Sequence, residues 1–295
     1  MVVYPSPLRY PGGKRKLATF ITDAVIGNDI QGGTYVEPFV GGAGVALHLL
    51  FREYVNDIII NDIDRSIYAF WFSILNHTDD LCKLISDTPV TIEEWEKQKL
   101  IQSQKDEVDL LSLGFSTFFL NRTNRSGIIN GGVIGGKNQL SKWKMDVRYN
   151  KEDLIKRIQK IALYKSRIQL YNMDAIDFVN TISPMLNDRT LIYFDPPYYN
   201  KGSALYSNHY THTNHEELSR FIQGLKCKWI LTYDYTPNII EMYRNVEKRL
   251  LILNYTAAKK TKGNEMIAFS NGFTVPEGKY SAITIEEVIP VFSRS

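Results

Sequence analysis

The sequence predicts an α/β protein, a mainly parallel sheet of seven strands covered by helices on both faces and interrupted by a helical insertion. Three observations carry this. Short apolar strands alternate with amphipathic stretches near both ends of the chain. Turns rich in glycine or proline follow two of those strands at once. From residue 65 the apolar period turns helical for roughly a hundred residues before strands return. With 295 residues, 44% apolar and 23% charged, the chain can bury a sizeable core, which excludes disorder as its main state.

In chain order, a stripe of Leu17, Phe20, Ile21, Ala24 and Val25 predicts a helix entered through the turn at Gly12 and Gly13. Residues 34–38 read as a strand, 41–44 as a glycine turn, and Val45, Leu49 and Leu50 as the next helix. The isoleucine-rich 56–61 is a strand ending in Asp62. Within the insertion, Ile67, Phe70, Trp71, Ile74 and Leu75 form one stripe, and Thr91 with Glu94 has the form of a capping box. Residues 110–120, apolar on nearly all sides, predict a buried helix. After a helix at 151–162 come strands at 168–171, 190–194, 229–233, 249–253 and 265–269. The expected division is a catalytic domain of residues 1–64 and 160–295 and an inserted helical domain of 65–159, with a hairpin near 121–148.

Two cysteines, Cys82 and Cys227, supply neither a disulfide framework nor a multi-thiolate zinc site. The start of the chain has no apolar targeting region, and no run of about 18 apolar residues occurs anywhere. The expectation is a cytoplasmic protein without membrane contact. Net charge is only +3, yet residues 121–160 hold ten Lys and Arg against three acids, a local +7. Such a field suits a polyanion.

Residues 35–44, YVEPFVGGAG, read as strand, tight turn and helix start. In an open α/β sheet this first turn lets the backbone approach a nucleotide-like ligand, and the helix start offers free N–H groups. Asp62 ends the next strand 18 residues after Gly44, where a carboxylate accepts hydrogen bonds from ribose hydroxyls. A dinucleotide and S-adenosylmethionine (SAM) both need this pair. The absence of GxGxxG weakens the former, and Glu37 suits the cationic methionine end of the latter.

The strand at 190–194 runs directly into Asp195-Pro196-Pro197-Tyr198. Two prolines fix the backbone and lack N–H donors, leaving exposed carbonyls, a carboxylate and an aromatic ring at the strand end. An aromatic face can stack on a flipped base while carboxylate and carbonyl accept from an exocyclic amino group. The N6 lone pair of adenine is delocalised into its ring. Two acceptors on its hydrogens localise that pair for direct in-line methyl transfer.

These motifs, with Leu8-Arg9-Tyr10-Pro11-Gly12-Gly13-Lys14, the run 118–122, Leu205-Tyr206 with Tyr210, and Gly263-Asn264-Glu265-Met266, resemble those of Dam-type (D12 class) DNA adenine-N6 methyltransferases of the alpha group. The resemblance implies SAM as cofactor, no metal and double-stranded DNA as partner; a cognate restriction endonuclease is a candidate further partner whose presence the sequence leaves open. It implies that Tyr10 packs on the cofactor's adenine, that Lys14 reaches its carboxylate, that Glu37, Phe39 and Gly41 line it and that Asp62 holds its ribose. Asp195 and Tyr198 hold the target base, Asp195 facing the cofactor as well. Asp174 reads either as a helix cap or as a contact to the cofactor's adenine. Arg122, Asn124, Arg125, Lys137, Lys142 and Lys144 are the expected DNA contacts. The sequence departs from the family at Tyr10, where tryptophan is frequent, and in 121–127, which lacks the tyrosines of the GATC-methylating members. GATC specificity therefore does not transfer.

Other readings account for less of the sequence. His209, His212 and His215 recur every three residues, as in some zinc sites, but Asn214 and Glu217 mark a helix start there. A nuclease built on Asp174, Asp177 and Asp195 conflicts with the strand-and-cap pattern around the first two. A glutamine-modifying methyltransferase typically has Asn where Asp195 stands. A catalytically silent DNA-binding regulator needs no intact DPPY. RNA adenine and cytosine N4 remain alternative acceptors.

Overall fold

The computed structural model describes residues 5–9, 14–200, 210–254 and 262–287. Of the residues singled out above, Tyr10, Pro11, Gly12, Gly13, Leu205, Tyr206 and His209 lie outside these.

Among the described residues eight strands form one sheet: β1 (Thr34–Glu37), β2 (Asp57–Asn61), β3 (Ile168–Tyr171), β4 (Thr190–Phe194), β5 (Lys228–Asp234), β6 (Lys248–Asn254), β7 (Lys262–Phe269) and β8 (Ile283–Glu287). Their order is β3-β2-β1-β4-β5-β7-β6-β8. The first five positions are parallel, and β7, β6 and β8 continue the sheet antiparallel. The sequence reading counted seven strands. It missed β8, an edge strand of which only Ile283 is buried, so that little apolar alternation betrays it.

Alternation along the strands sorts their side chains into two cores. Tyr35, Ile58, Ile60, Leu191, Tyr193, Ile230 and Ile267 enter one, whereas Val36, Ile59, Ile192, Phe194, Leu231, Met266 and Ala268 enter the other. The second core is closed by helices α8 (Ala175–Ile182) and α9 (His212–Gly224), through Phe178, Ile182, Leu218 and Ile222.

The first core is closed by α1 (Ala18–Gly27), which a short 3₁₀ turn at Lys14–Leu17 precedes, and by α2 (Gly44–Phe51). The long helical stretch joins the same core through α3 (Arg65–Asn76), α4 (Thr78–Asp87), α5 (Ile92–Ser103), α6 (Leu110–Thr123) and α7 (Lys151–Ala162). Phe70 and Trp71 of α3, Phe118 and Phe119 of α6 and Leu154 of α7 are all buried there. Helix α6, apolar on every side, is buried from Leu113 to Asn121. Asp64, Thr91, Asp109 and Asn150 cap α3, α5, α6 and α7 through side-chain oxygens. Where a hairpin was expected, one antiparallel bridge, Asn124 with Val133, closes a compact loop that has no strand ladder.

Candidate active site and nucleic-acid interface

β1 and β4 are parallel neighbours, with Val36 opposite Ile192. Connections leave them toward opposite sides of the sheet, so their carboxyl ends flank the point where strand order reverses. There an open α/β sheet leaves a crevice. The glycine turn follows β1 and the Asp195–Tyr198 turn follows β4, so the topology brings the two sequence motifs face to face.

The glycine turn is held from three sides. Its chain takes left-handed conformations at Gly41 (φ 44) and at Ala43 (φ 49), the latter an uncommon choice for a residue with a Cβ. Trp71 of α3 donates its indole N–H to Gly41 O at 3.0 Å. Asp62 accepts from Gly41 N at 3.0 Å with one oxygen and from Asp64 N at 3.0 Å with the other. Each oxygen keeps acceptor capacity, since a carboxylate has about four lone-pair sites. Burial, reinforced by Asp64, pushes the Asp62 carboxyl up to about 7.

Glu37, at the end of β1, is buried beneath this turn and accepts from the Tyr35 hydroxyl at 3.0 Å. Burial raises it to about 8 against the lowering effect of that bond. A buried carboxyl so raised is a ready partner for a cation. Phe39 lies 6.2 Å from the ring of Tyr210, and Asp62 and Asp174 both act on the Tyr210 hydroxyl. Asp174 is the N-cap of α8, accepting from Ile176 N at 2.8 Å. That matches one of its two sequence readings.

On the facing turn, Lys14 differs from expectation. The resemblance directed it to a cofactor carboxylate, but its ammonium is 3.0 Å from Asp195 Oδ1 and 2.9 Å from Glu265 Oε2. It also donates to the Tyr198 hydroxyl at 3.0 Å. Burial opposes its charge, yet Asp195 and Glu265 outweigh burial and raise Lys14 well above the ordinary lysine value. Tyr198 in turn donates to Glu265 Oε1 at 2.6 Å. Thr232 of β5 donates to Asp195 Oδ1 at 3.0 Å. Asp195 Oδ2 has no protein partner among the described residues, and the side chain is 26% exposed. Pro196 is buried and Pro197 half-buried, which fixes the turn between them.

Three residues of this cluster escaped sequence reasoning as site residues: Glu265, Thr232 and Asp234. Glu265 and Asp234 are register partners on β7 and β5. Asp234 accepts from Tyr199 N at 2.8 Å and Asn200 N at 3.0 Å, gripping the chain just beyond the proline turn. For Asp234 an acid at a strand's carboxyl end was the available signal, the same one that marked Asp62.

His215 is buried in α9, bonded through Nδ1 to the Tyr233 hydroxyl, and burial lowers it to about 4. His212 pairs with Glu216 at 3.2 Å and with Tyr199. Among the described residues no three His, Cys, Asp or Glu side chains gather as metal ligands would. No helix of the described residues is long and apolar enough to cross a membrane.

The expected DNA contacts divide. Arg125, Lys142 and Lys144 are exposed, next to Leu140 at 88% and Trp143 at 61% exposure. Lys137 is exposed but paired with Glu96 at 2.9 Å. Asn124 is fully buried: it accepts from the Trp95 indole at 2.7 Å and donates to Ile128 O and Ile129 O. Its place is inside the loop, because a short amide can satisfy several backbone groups at a tight bend. Arg122 is largely buried, donating to Arg148 O at 2.7 Å and Pro7 O at 3.4 Å. Burial, with Arg9 and Arg157 nearby, lowers it to about 10.

Comparison with known proteins agrees with this geometry. A type II methyltransferase, M.MjaIII of Methanocaldococcus jannaschii, is 24% identical over 215 residues, 68% of this chain and 72% of the relative. A crystal structure of protein LPL1258 from Legionella pneumophila aligns with 89% of this chain and 86% of its own, at 10% identity. Its TM-score of 0.33 is too low to carry an argument. The pattern that defines the D12 class of N6 adenine-specific DNA methyltransferases matches residues 10–257, spanning both the glycine turn and the proline turn, and the chain belongs to that family.

Proposed function

We propose that this protein transfers a methyl group from SAM to N6 of an adenine flipped out of double-stranded DNA. The observation that carries the reading is the pairing of two sites across one crevice. An acid-rich glycine turn with Asp62 and Glu37 lies on one side, and Asp195, with one oxygen tied down and the other free, lies on the opposite side.

The residues fit the cofactor. Asp62 would accept from ribose hydroxyls, Glu37 would face the cationic methionine end, Gly41 would let the backbone close in, and Phe39 with Tyr210 would supply aromatic surface. Tyr10 is proposed for the adenine ring, and the remaining oxygen of Asp174 for its amino group. SAM supplies an activated methyl on sulfonium.

On the acceptor side, Asp195 Oδ2 and the Pro196 carbonyl would accept from the N6 hydrogens, while Tyr198 stacks on the base and Pro197 keeps the turn rigid. Lys14 acts here as a positioning residue. Its ammonium anchors Asp195 Oδ1, and Glu265 takes up part of its charge, so that Asp195 remains a strong acceptor. The loop bearing Arg125, Lys142 and Lys144 would meet the duplex, with Lys137 at its rim. Asn124 would contribute by shaping that loop. A cognate restriction endonuclease is proposed as a genetic partner, and the cytoplasm as the site of action.

The direct test is methyl transfer from labelled SAM, with chelator present, to duplex DNA, RNA and protein side by side, followed by mass analysis of digested product. N6-methyladenine from duplex DNA is expected. N4-methylcytosine would keep the fold and remove the adenine assignment.

A further inference from the structure

The segment 5–9 lies against the end of α6, the turn at Met145–Arg148 and α7, and guanidinium groups bind it there. Arg122 Nη1 donates to Pro7 O, Arg157 Nη1 to Ser6 O at 3.2 Å, and Arg9 Nη1 to Asn124 O at 3.1 Å. Arg122 Nε reaches Arg148 O. Arg9, Arg122 and Arg157, from distant parts of the sequence, therefore meet at this segment, and Arg148, whose carbonyl Arg122 holds, lies near enough for its charge to act on two of them. They feel one another: Arg9, Arg157 and Arg148, added to burial, depress Arg122, and Arg148, added to burial, depresses Arg9. Asp153, 2.6 Å from Arg157 Nη2, is the carboxylate that acts on Arg122 in the opposite sense.

Fastening the segment does not need this charge. Asn121, a neutral side chain, already accepts from Arg9 N at 2.7 Å and donates to Arg9 O at 2.8 Å. Guanidiniums gathered this closely repel each other, and an arginine carries five donors, of which Arg9 and Arg157 each give one and Arg122 gives two to backbone carbonyls. Arg157 Nε is buried without a partner. The exposed Arg148 guanidinium makes no hydrogen bond or ion pair among the described residues. Surplus positive charge with unspent donors in fixed forks is the chemistry that recognises a phosphodiester.

We propose that Arg9, Arg122, Arg148 and Arg157 form a binding site for a backbone phosphate of the DNA, separate from the loop that carries Lys142 and Lys144. The proposal rests on the reading of DNA as substrate. Its position suits that role. Arg9 precedes Lys14 by five residues, a reach of at most about 17 Å. Successive phosphates advance about 3.4 Å along the helix axis, so the site would hold a phosphate within a few nucleotides of the methylated base.

The test is binding of a duplex oligonucleotide by the full chain, measured across a range of salt concentrations. Arg148→Gln and Arg9→Gln are each expected to weaken binding about eightfold near 0.1 M salt and to lower the slope of log affinity against log salt by about one. Asp153→Asn, which adds net positive charge, is expected to strengthen binding, and all three variants should bind SAM as the unmodified protein does. If the unmodified protein binds and methylates the duplex while all three variants keep its affinity and slope, the arginines only fasten the segment and the proposal fails. A thermal shift produced by inorganic phosphate, lost in Arg148→Gln without any change in duplex binding, would assign the site to a free anion and overturn the DNA assignment. An unmodified protein that neither binds nor methylates the duplex overturns the DNA reading itself, and this proposal with it.

Discussion

At the carboxyl edge of the sheet, charge is buried and paired: Lys14 between Asp195 and Glu265, Asp62 under two backbone N–H groups, Glu37 beneath the Tyr35 hydroxyl. In the loop after α6 the arrangement is reversed. Polar side chains such as Asn124 are buried to hold the bend, while Arg125, Lys142 and Lys144 stand exposed. The difference matches what the proposed function asks of each region. A methyl transfer site needs acceptors already aimed, since reorganising them during reaction raises the barrier. A duplex-binding surface needs charge that meets phosphates and donors free to read base edges.

Five substitutions, the last read through a titration, test this contrast. The largest effect is expected from Asp195→Ala, which should abolish methyl transfer yet leave SAM affinity within a few-fold, as calorimetry can establish. A comparable loss of cofactor affinity would mean that the two sides of the crevice are not separable. Asp62→Ala should weaken SAM binding by roughly 1.5–3 kcal/mol through loss of a charge-assisted acceptor. Unchanged affinity would contradict the ribose assignment.

In the loop, Asn124→Ala should lower stability by about 1–3 kcal/mol, because Trp95 Nε1, Ile128 O and Ile129 O lose a buried partner. Arg125→Ala should leave the melting temperature alone and relax the preferred methylation site. Guanine readout by a bidentate arginine is worth about 1–3 kcal/mol. Methylation mapped on genomic DNA separates that outcome from an unaltered preference, which would remove Arg125 from base reading.

The smallest effect concerns pH. In the fold Glu37 titrates near 8 instead of 4.5, so between these values the folded chain holds more protons than the unfolded one. Stability of the cofactor-free protein should therefore decline as pH rises from about 4.5 to about 8. Glu37→Gln should flatten that decline in thermal melts, and an unchanged profile would show that Glu37 is not the group responsible.

Much of the catalytic side was legible because strands impose period two and end in recognisable turns. Glu37, Asp62 and Asp195 each stand at or just past a strand end, where the fold class itself predicts a ligand. Glu265 and Thr232 were not legible as site residues, since nothing local tells a partner of Lys14 from an ordinary polar strand residue. Asn124 reads as a DNA contact in the sequence because an amide side chain in a glycine-rich stretch looks the same whether it faces a duplex or its own backbone.

The sequence alone determined seven of the eight strands and the two turn motifs, because apolar alternation, glycine at the first turn and two consecutive prolines restrict the backbone locally. Tertiary structure decided which charges meet. Lys14 lies 181 positions before Asp195 and 251 before Glu265, and only the ordering of β4, β5 and β7 side by side places all three within hydrogen-bond distance. The same holds for the arginines that gather around segment 5–9. Long-range electrostatic partners depend on distances that local periodicity does not encode, because the folded sheet sets those distances.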